Sequence, residues 1–186
     1  TQGDAVVATI HITGEVEEGK ALLRSGAQVG DTVFVTGTLG DAAAGLEMFE
    51  NDRHDEYLLQ RFLRPTARIG QGRQLIGRAN AVIDVSDGLI GDLRKLLDAS
   101  GVGAEIDIDA LPLSLALQSQ FGSEDAVRFA LTGGDDYELC FTAAPESVSD
   151  VAGITAIGVV TAGPELVCRR GGEVVDVDDS GYRHFA

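Results

Sequence analysis

One alternation constrains this chain more than any other feature. Short β-branched runs pass through glycine-containing turns into segments with helical spacing. Asp31 to Gly37 reads as a strand; Thr38-Leu39-Gly40-Asp41 then leads into a helix from Ala42 to Phe49, with Asp41 as its N-cap. Ala81-Val82-Ile83 reads as the end of a buried strand, and Asp84 to Gly88 as a tight turn. Leu89, Ile90, Leu93, Leu96 and Leu97 then form one face of a helix that closes at Ser100-Gly101. Interleaving of this kind predicts an α/β fold, with helices against a central sheet.

The remaining segments fit that scheme. Residues 5–12 read as a strand, Lys20 to Ser25 as a short helix, and Asp55 to Leu63 and Ala67 to Arg78 as two more helices. Gly103 to Ile108, Tyr137 to Thr142 and Ile154 to Val160 read as strands. Leu113 to Gln120 and Glu124 to Leu131 read as helices, Pro145 to Val151 as a shorter one, and Leu166 to Arg169 with Val174 to Val177 as a hairpin about Gly171-Gly172. Short connections late in the chain imply antiparallel pairs, so the sheet is expected to be mixed. The small Ala42-Ala43-Ala44-Gly45 face calls for a closely packed neighbour. A strand opening almost at Thr1 suggests that the chain is one domain, residues 1–186, of a longer protein.

Charge narrows the choice of partner. The formal net charge is −16, which disfavours nucleic acid and anionic lipid. A phosphate ligand would need metal ions to enter such a field. No apolar run approaches membrane-spanning length. Cys140 and Cys168 stand far apart in apolar runs, as buried thiols of a cytoplasmic protein do. His11, His54 and His184 have no partner at i+3 or i+4, which disfavours zinc.

Four places carry possible chemistry. Asp84 and Asp87 flank Ser86 at a strand-to-helix turn; they are equally suited to holding Mg2+ with phosphate and to capping the helix. Asp92, one turn later, is expected to face solvent. Gly133-Gly134-Asp135-Asp136 lies where loops meet a sheet edge, and taken alone reads as a helix stop and polar turn. Tyr182 and Phe185 read as aromatic anchors of the tail or as stacking partners for a flat ring. Arg24 reads as a helix-end cation or as a phosphate clamp. The arginines at 61, 64, 68, 73 and 78 read as a solvated helical face.

Taken together, these segments resemble the thiamine-monophosphate kinase family of the AIR synthetase-related superfamily. The resemblance rests on Arg24-Ser25-Gly26-Ala27, Gly30-Asp31, Val35 to Leu46, Leu63-Arg64-Pro65, Ile83 to Leu89, Leu131 to Leu139 and Gly181 to Phe185, in the family's order. It implies an AIR synthetase C-terminal-domain-like fold, without the family's N-terminal ATP-binding domain. It also implies transfer of the ATP γ-phosphoryl group to thiamine monophosphate, with Mg2+, and a homodimeric full-length enzyme in the cytoplasm. By similarity, Asp84 and Asp87 would bind metal, Arg24 and Ser86 would bind ATP, and Asp135 and Tyr182 would bind substrate. The family commonly has Glu where Asp135 stands. Direct transfer is implied, with no covalent catalytic residue. The isolated domain is expected to be inactive. The alternatives are another ATP-dependent enzyme of the superfamily, or a non-catalytic domain for cation binding or assembly.

Overall fold

The computed structural model describes residues 9–177. The predicted strand at 31–37 forms at Thr32–Thr36 (β1), in the interior of the sheet and buried on both faces. Its alternation serves both sides: Val33 and Val35 join one core, and Phe34 joins the other. The other strands are β2 (Ala81–Val85), β3 (Gly103–Asp107), β4 (Glu138–Ala143), β5 (Ile154–Thr161), β6 (Leu166–Arg170) and β7 (Glu173–Val175). They form a seven-stranded sheet in the order β2-β4-β1-β5-β3-β6-β7. Among the described residues only β3 and β6 pair in parallel and the other neighbouring pairs are antiparallel, so the sheet is mixed as expected.

The helices are α1 (Asp41–Glu50), α2 (Glu56–Leu63), α3 (Ile69–Leu75), α4 (Leu89–Ser100) and α5 (Leu115–Thr132). Leu89, Leu93, Leu96 and Leu97 of α4 pack with Ile83, Val85, Ala104, Ile106 and Ile157 in the main core. On the opposite face, Leu75 packs with Phe34, Val82 and Phe141, whose two phenyl rings stack at 5.2 Å. A third cluster joins α1, α2 and α5 through Met48, Leu58, Leu117 and Phe129. The small face of α1 is used as anticipated. A Cβ on Gly45 would meet the Leu58 carbonyl oxygen at 2.2 Å, so α2 packs there because Gly45 has no side chain.

Several boundaries differ from the expectations. No helix forms at 20–25, where Leu23 instead accepts a hydrogen bond from the Val82 N–H and lies along the edge of β2. Residues 9–12 carry no strand, and the rest of that predicted element falls outside the described residues. The two helices anticipated at 113–131 appear as α5 with a break at Gly122, whose φ is 74°. The Pro145 segment forms only a short 3-10 turn, Pro145–Ser147. The Gly171-Gly172 hairpin forms, with both glycines at positive φ as a tight two-residue turn requires. Among the described residues no helix is long and apolar enough to cross a membrane. Cys140 and Cys168 are free and buried, and burial pushes the Cys140 thiol up to about 12.

Candidate active site

Strand β2 ends at Val85, and the chain turns through Ser86 and Asp87 into α4. Alternation along β2 buries Ile83 and Val85 and turns Asp84 outward. The turn can be this tight because Gly88 has φ 103°, where a Cβ would also lie 2.8 Å from the Thr132 backbone. Gly88 is the N-cap of α4 and supplies no side-chain cap. Neither Asp84 nor Asp87 caps the helix. Asp92, in the first turn of the helix, instead holds the preceding turn: its Oδ2 accepts the N–H groups of Ser86 and Asp87, both at 2.8 Å. Asp92 is therefore buried, not solvent-facing as its spacing suggested. Lys95 donates to Asp92 Oδ1 at 2.9 Å and to Asp87 Oδ2 at 2.5 Å. These two bonds, that to Asp87 first, raise its pKa.

A second loop docks onto this turn. The Asp135 N–H donates to the Ser86 carbonyl and the Tyr137 N–H to that of Val85, both at 2.9 Å. Gly134 permits the approach, since a Cβ there would sit 2.5 Å from the Ser86 oxygen. Asp135 and Tyr137 both hold positive φ, 65° and 51°, and both side chains are exposed. The Tyr137 hydroxyl donates to Asp135 Oδ1 at 3.2 Å. Together the two loops and α1 enclose a cleft of about 510 Å3 lined by Ala42, Ala43, Leu46, Asp84, Ser86, Asp87, Gly134, Asp135 and Tyr137.

Asp136, between the two outward-facing residues, points inward and is fully buried. It accepts the N–H of Gly40 at 2.6 Å and of Ala42 at 3.1 Å, and so ties α1 to the second loop. Two of the N–H groups at the start of α1 are thus consumed inside the protein rather than offered to a phosphate. Burial pushes the Asp136 carboxyl up to about 7, against the pull of those donors and of Arg61.

Beneath the loops lies a polar network that overturns the reading of the basic segment. Arg61 is buried. It donates to Glu138 Oε1 at 2.9 Å and to the Thr38 carbonyl at 3.2 Å, and its Nε lies 3.6 Å from Asp41 Oδ2. Arg68 adds a two-pronged contact to both Glu138 oxygens, and the Thr36 hydroxyl donates to Oε2 at 2.6 Å. Asp41 is not an N-cap, a position held by Gly40. Its carboxylate instead accepts the hydroxyls of Thr38, Tyr57 and Ser114. Of the arginines taken as a solvated face, Arg64 and Arg73 are exposed, whereas Arg61 and Arg68 hold buried carboxylates.

The cleft thus gathers Asp84, Ser86, Asp87 and Asp135. It does not gather Arg24. The Arg24 carbonyl accepts from Ser100 Oγ at the far end of α4, and 12 helical residues separate that end from Ser86 by about 18 Å. Tyr182 lies outside the described residues. The oxygen donors of Asp84, Ser86 and Asp87 suit a hard cation such as Mg2+. No group of three or more His, Cys, Asp or Glu side chains forms a closed metal cage among the described residues. An open pair of carboxylates, completed by water and phosphate oxygens, is the usual Mg2+ arrangement.

The family model described as AIR synthase related protein, C-terminal domain, matches residues 28–170. The chain belongs to this family. Within it, the chain is similar to thiamine-monophosphate kinase of Escherichia coli (strain K12), with 50% identity over 194 aligned positions, 96% of this chain and 59% of the relative. The crystal structure of thiamine-monophosphate kinase from Stenotrophomonas maltophilia K279a superposes with a TM-score of 0.78 at 40% identity, covering 86% of this chain and 56% of that one. The structure of AaThiL complexed with AMPPCP and TMP gives 0.79 at 40% identity, covering 88% of this chain and 54% of that one. The chain therefore spans somewhat over half the length of the relatives it matches.

In this AIR synthase related domain, the residues that sequence reasoning missed are mainly those that shape the cleft without lining it. Asp92 and Lys95 stand at i and i+3 on α4, a spacing that signals an ion pair but not a bond back to the preceding turn. Asp41, Arg61, Asp136 and Glu138 come together from α1, α2 and the start of β4, and no local pattern links them.

Proposed function

We propose that this chain is the C-terminal domain of a kinase that transfers the γ-phosphoryl group of ATP to thiamine monophosphate, giving thiamine diphosphate and ADP. One observation carries the reading. Asp84, Ser86, Asp87 and Asp135 line a single cleft in a chain half identical to a thiamine-monophosphate kinase over nearly its whole length. The relative solved with AMPPCP and TMP supports the same pairing of ligands.

The cleft has the parts that phosphoryl transfer requires, which are positioning and charge neutralisation. Asp84 and Asp87 would hold Mg2+, which when bound would supply neutralisation of phosphate charge. Ser86 presents its hydroxyl to a nucleotide phosphate at the start of α4, where the helix dipole favours negative charge. Asp135 faces the amino-pyrimidine or the cationic ring of the acceptor. Lys95 orients Asp87, and Asp92 fixes the backbone of both turn residues. Arg24 would contact ATP across a separate surface, and Tyr182 would bind the substrate. A neighbouring N-terminal domain completes the ATP site, and the complete protein is a cytoplasmic homodimer.

The test is a coupled assay of the complete protein with ATP, Mg2+ and thiamine monophosphate. Asp84→Asn and Asp87→Asn should each lower kcat at least a hundredfold while circular dichroism stays unchanged. The isolated 186-residue chain should show negligible turnover. Full activity in both variants would leave the two aspartates without a catalytic part and overturn the reading.

A further inference from the structure

Tyr137 occupies a position that a tyrosine should avoid. Its φ is 51°, in the left-handed region, where a bulky L-residue is a strained outlier. Asn or Gly would hold that backbone with little strain. Packing does not explain the choice. The residue is 40% exposed, and its ring joins none of the aromatic pairs found among the described residues, which are Phe34–Phe141, Phe49–Phe62 and Phe121–Phe129. Two things do single out the side chain. It lines the cleft with Asp84, Asp87 and Asp135, and its hydroxyl is bonded to Asp135 Oδ1. The backbone bond from the Tyr137 N–H to Val85 holds the ring at that station.

A phenol ring beside the Asp135 carboxylate makes a surface for a flat cation. The ring face attracts positive charge, and Asp135, the cleft carboxylate not assigned to metal, adds a field of the same preference. We infer that Tyr137 is a specificity-determining residue of the acceptor subsite: its ring stacks on the flat, positively charged heteroaromatic ring of the acceptor, and its hydroxyl holds Asp135 in place for that ring system's polar edge. The inference rests on the kinase reading above. On it, the strain at Tyr137 is retained because only an aromatic side chain at this station reaches the bound ring.

The experiment is steady-state kinetics on the complete protein with Tyr137→Asn and Tyr137→Phe, alongside thermal melts. In Tyr137→Asn the KM for thiamine monophosphate should rise about tenfold, with the KM for ATP and kcat within twofold of the parent and Tm equal or higher. Tyr137→Phe keeps the ring and should raise the acceptor KM by no more than about threefold. Should the Asn variant not fold, Tyr137→Gly takes its place: a tenfold rise in acceptor KM there, with no more than a threefold rise in Tyr137→Phe, supports the inference. An acceptor KM unchanged in the ring-deleted variants, or KM values for ATP and acceptor that rise by the same factor, overturns the inference while leaving the kinase reading intact. A parent protein that phosphorylates no thiamine monophosphate overturns both.

Discussion

Replacing Arg61 with Met tests whether the buried network, rather than hydrophobic packing alone, holds the two cleft loops together. Met fills most of the same space and removes the charge. The change leaves the buried carboxylates of Asp41 and Asp136 with no guanidinium partner among the described residues, and Glu138 with that of Arg68 alone. Breaking a buried pair by removing one partner costs about 3–5 kcal/mol. The lower end applies, because Glu138 keeps its bonds from Arg68 and Thr36. A loss of about 3 kcal/mol corresponds to a fall in Tm of roughly 6–12 °C for a domain of this size. The loss should also depend on pH. Asp136 titrates at about 7, so at pH 5 it is neutral and at pH 8 it is charged. The variant network then carries one more uncompensated negative charge at pH 8 than at pH 5. Urea denaturation of the 186-residue chain, followed by far-UV circular dichroism at the two pH values, measures both effects. A variant within about 1 kcal/mol of the parent at both pH values, or one hurt more at pH 5, would refute the reasoning.

Two further substitutions probe the same scaffold. Asp92→Ala strips the acceptor from the Ser86 and Asp87 N–H groups; it should cost about 2 kcal/mol in urea melts and raise the Mg2+ concentration for half-maximal activity, with Asp92→Asn recovering part of each loss. Asp136→Asn should flatten the pH dependence of stability. The native pKa of about 7 lies above the ordinary 3.8, so the native state holds the proton more tightly; stability on this account is full below about pH 4 and is lost as pH rises to about 7, and denaturation curves across that window read it directly.

Much of the fold was legible because local chemistry and tertiary burial agree. Val33-Phe34-Val35 alternates between two cores, and the leucines of α4 repeat at helical spacing, so period alone identified both. The Gly171-Gly172 turn needed only its two glycines. Reading failed where burial of charge decides the outcome. Arg61 and Arg68 carry full charges, and a segment in water would expose them. They are buried because Glu138, 70 or more positions away, is aimed at them from the first residue of β4. The Lys20–Ser25 segment has helix-forming residues, yet Leu23 finds its backbone partner on the edge of β2 instead. Asp84, Ser86, Asp87 and Asp135 were recognisable as a set only through resemblance. Their convergence depends on Gly88 and Gly134, which let the two loops approach within the reach of a backbone hydrogen bond.

On the proposed function, the distribution of charge explains how so acidic a chain would serve anionic reactants. Asp41, Asp136 and Glu138 are turned inward, where Arg61, Arg68 and backbone N–H groups meet them, and Asp92 is met by Lys95 and the turn. The carboxylates that line the cleft are Asp84, Asp87 and Asp135. A cleft of that composition repels a bare phosphate and attracts a cation. Nucleotide and acceptor phosphates would therefore enter accompanied by divalent metal, whereas a positively charged ring needs no escort. The two ends of a phosphorylated cationic acceptor thus obey opposite rules: raising salt should weaken attraction of the ring to Asp135, and removing divalent metal should abolish phosphate entry altogether. Separate titrations of salt and metal against acceptor affinity would resolve the two contributions. A single common dependence would show that the carboxylates act as one undivided patch.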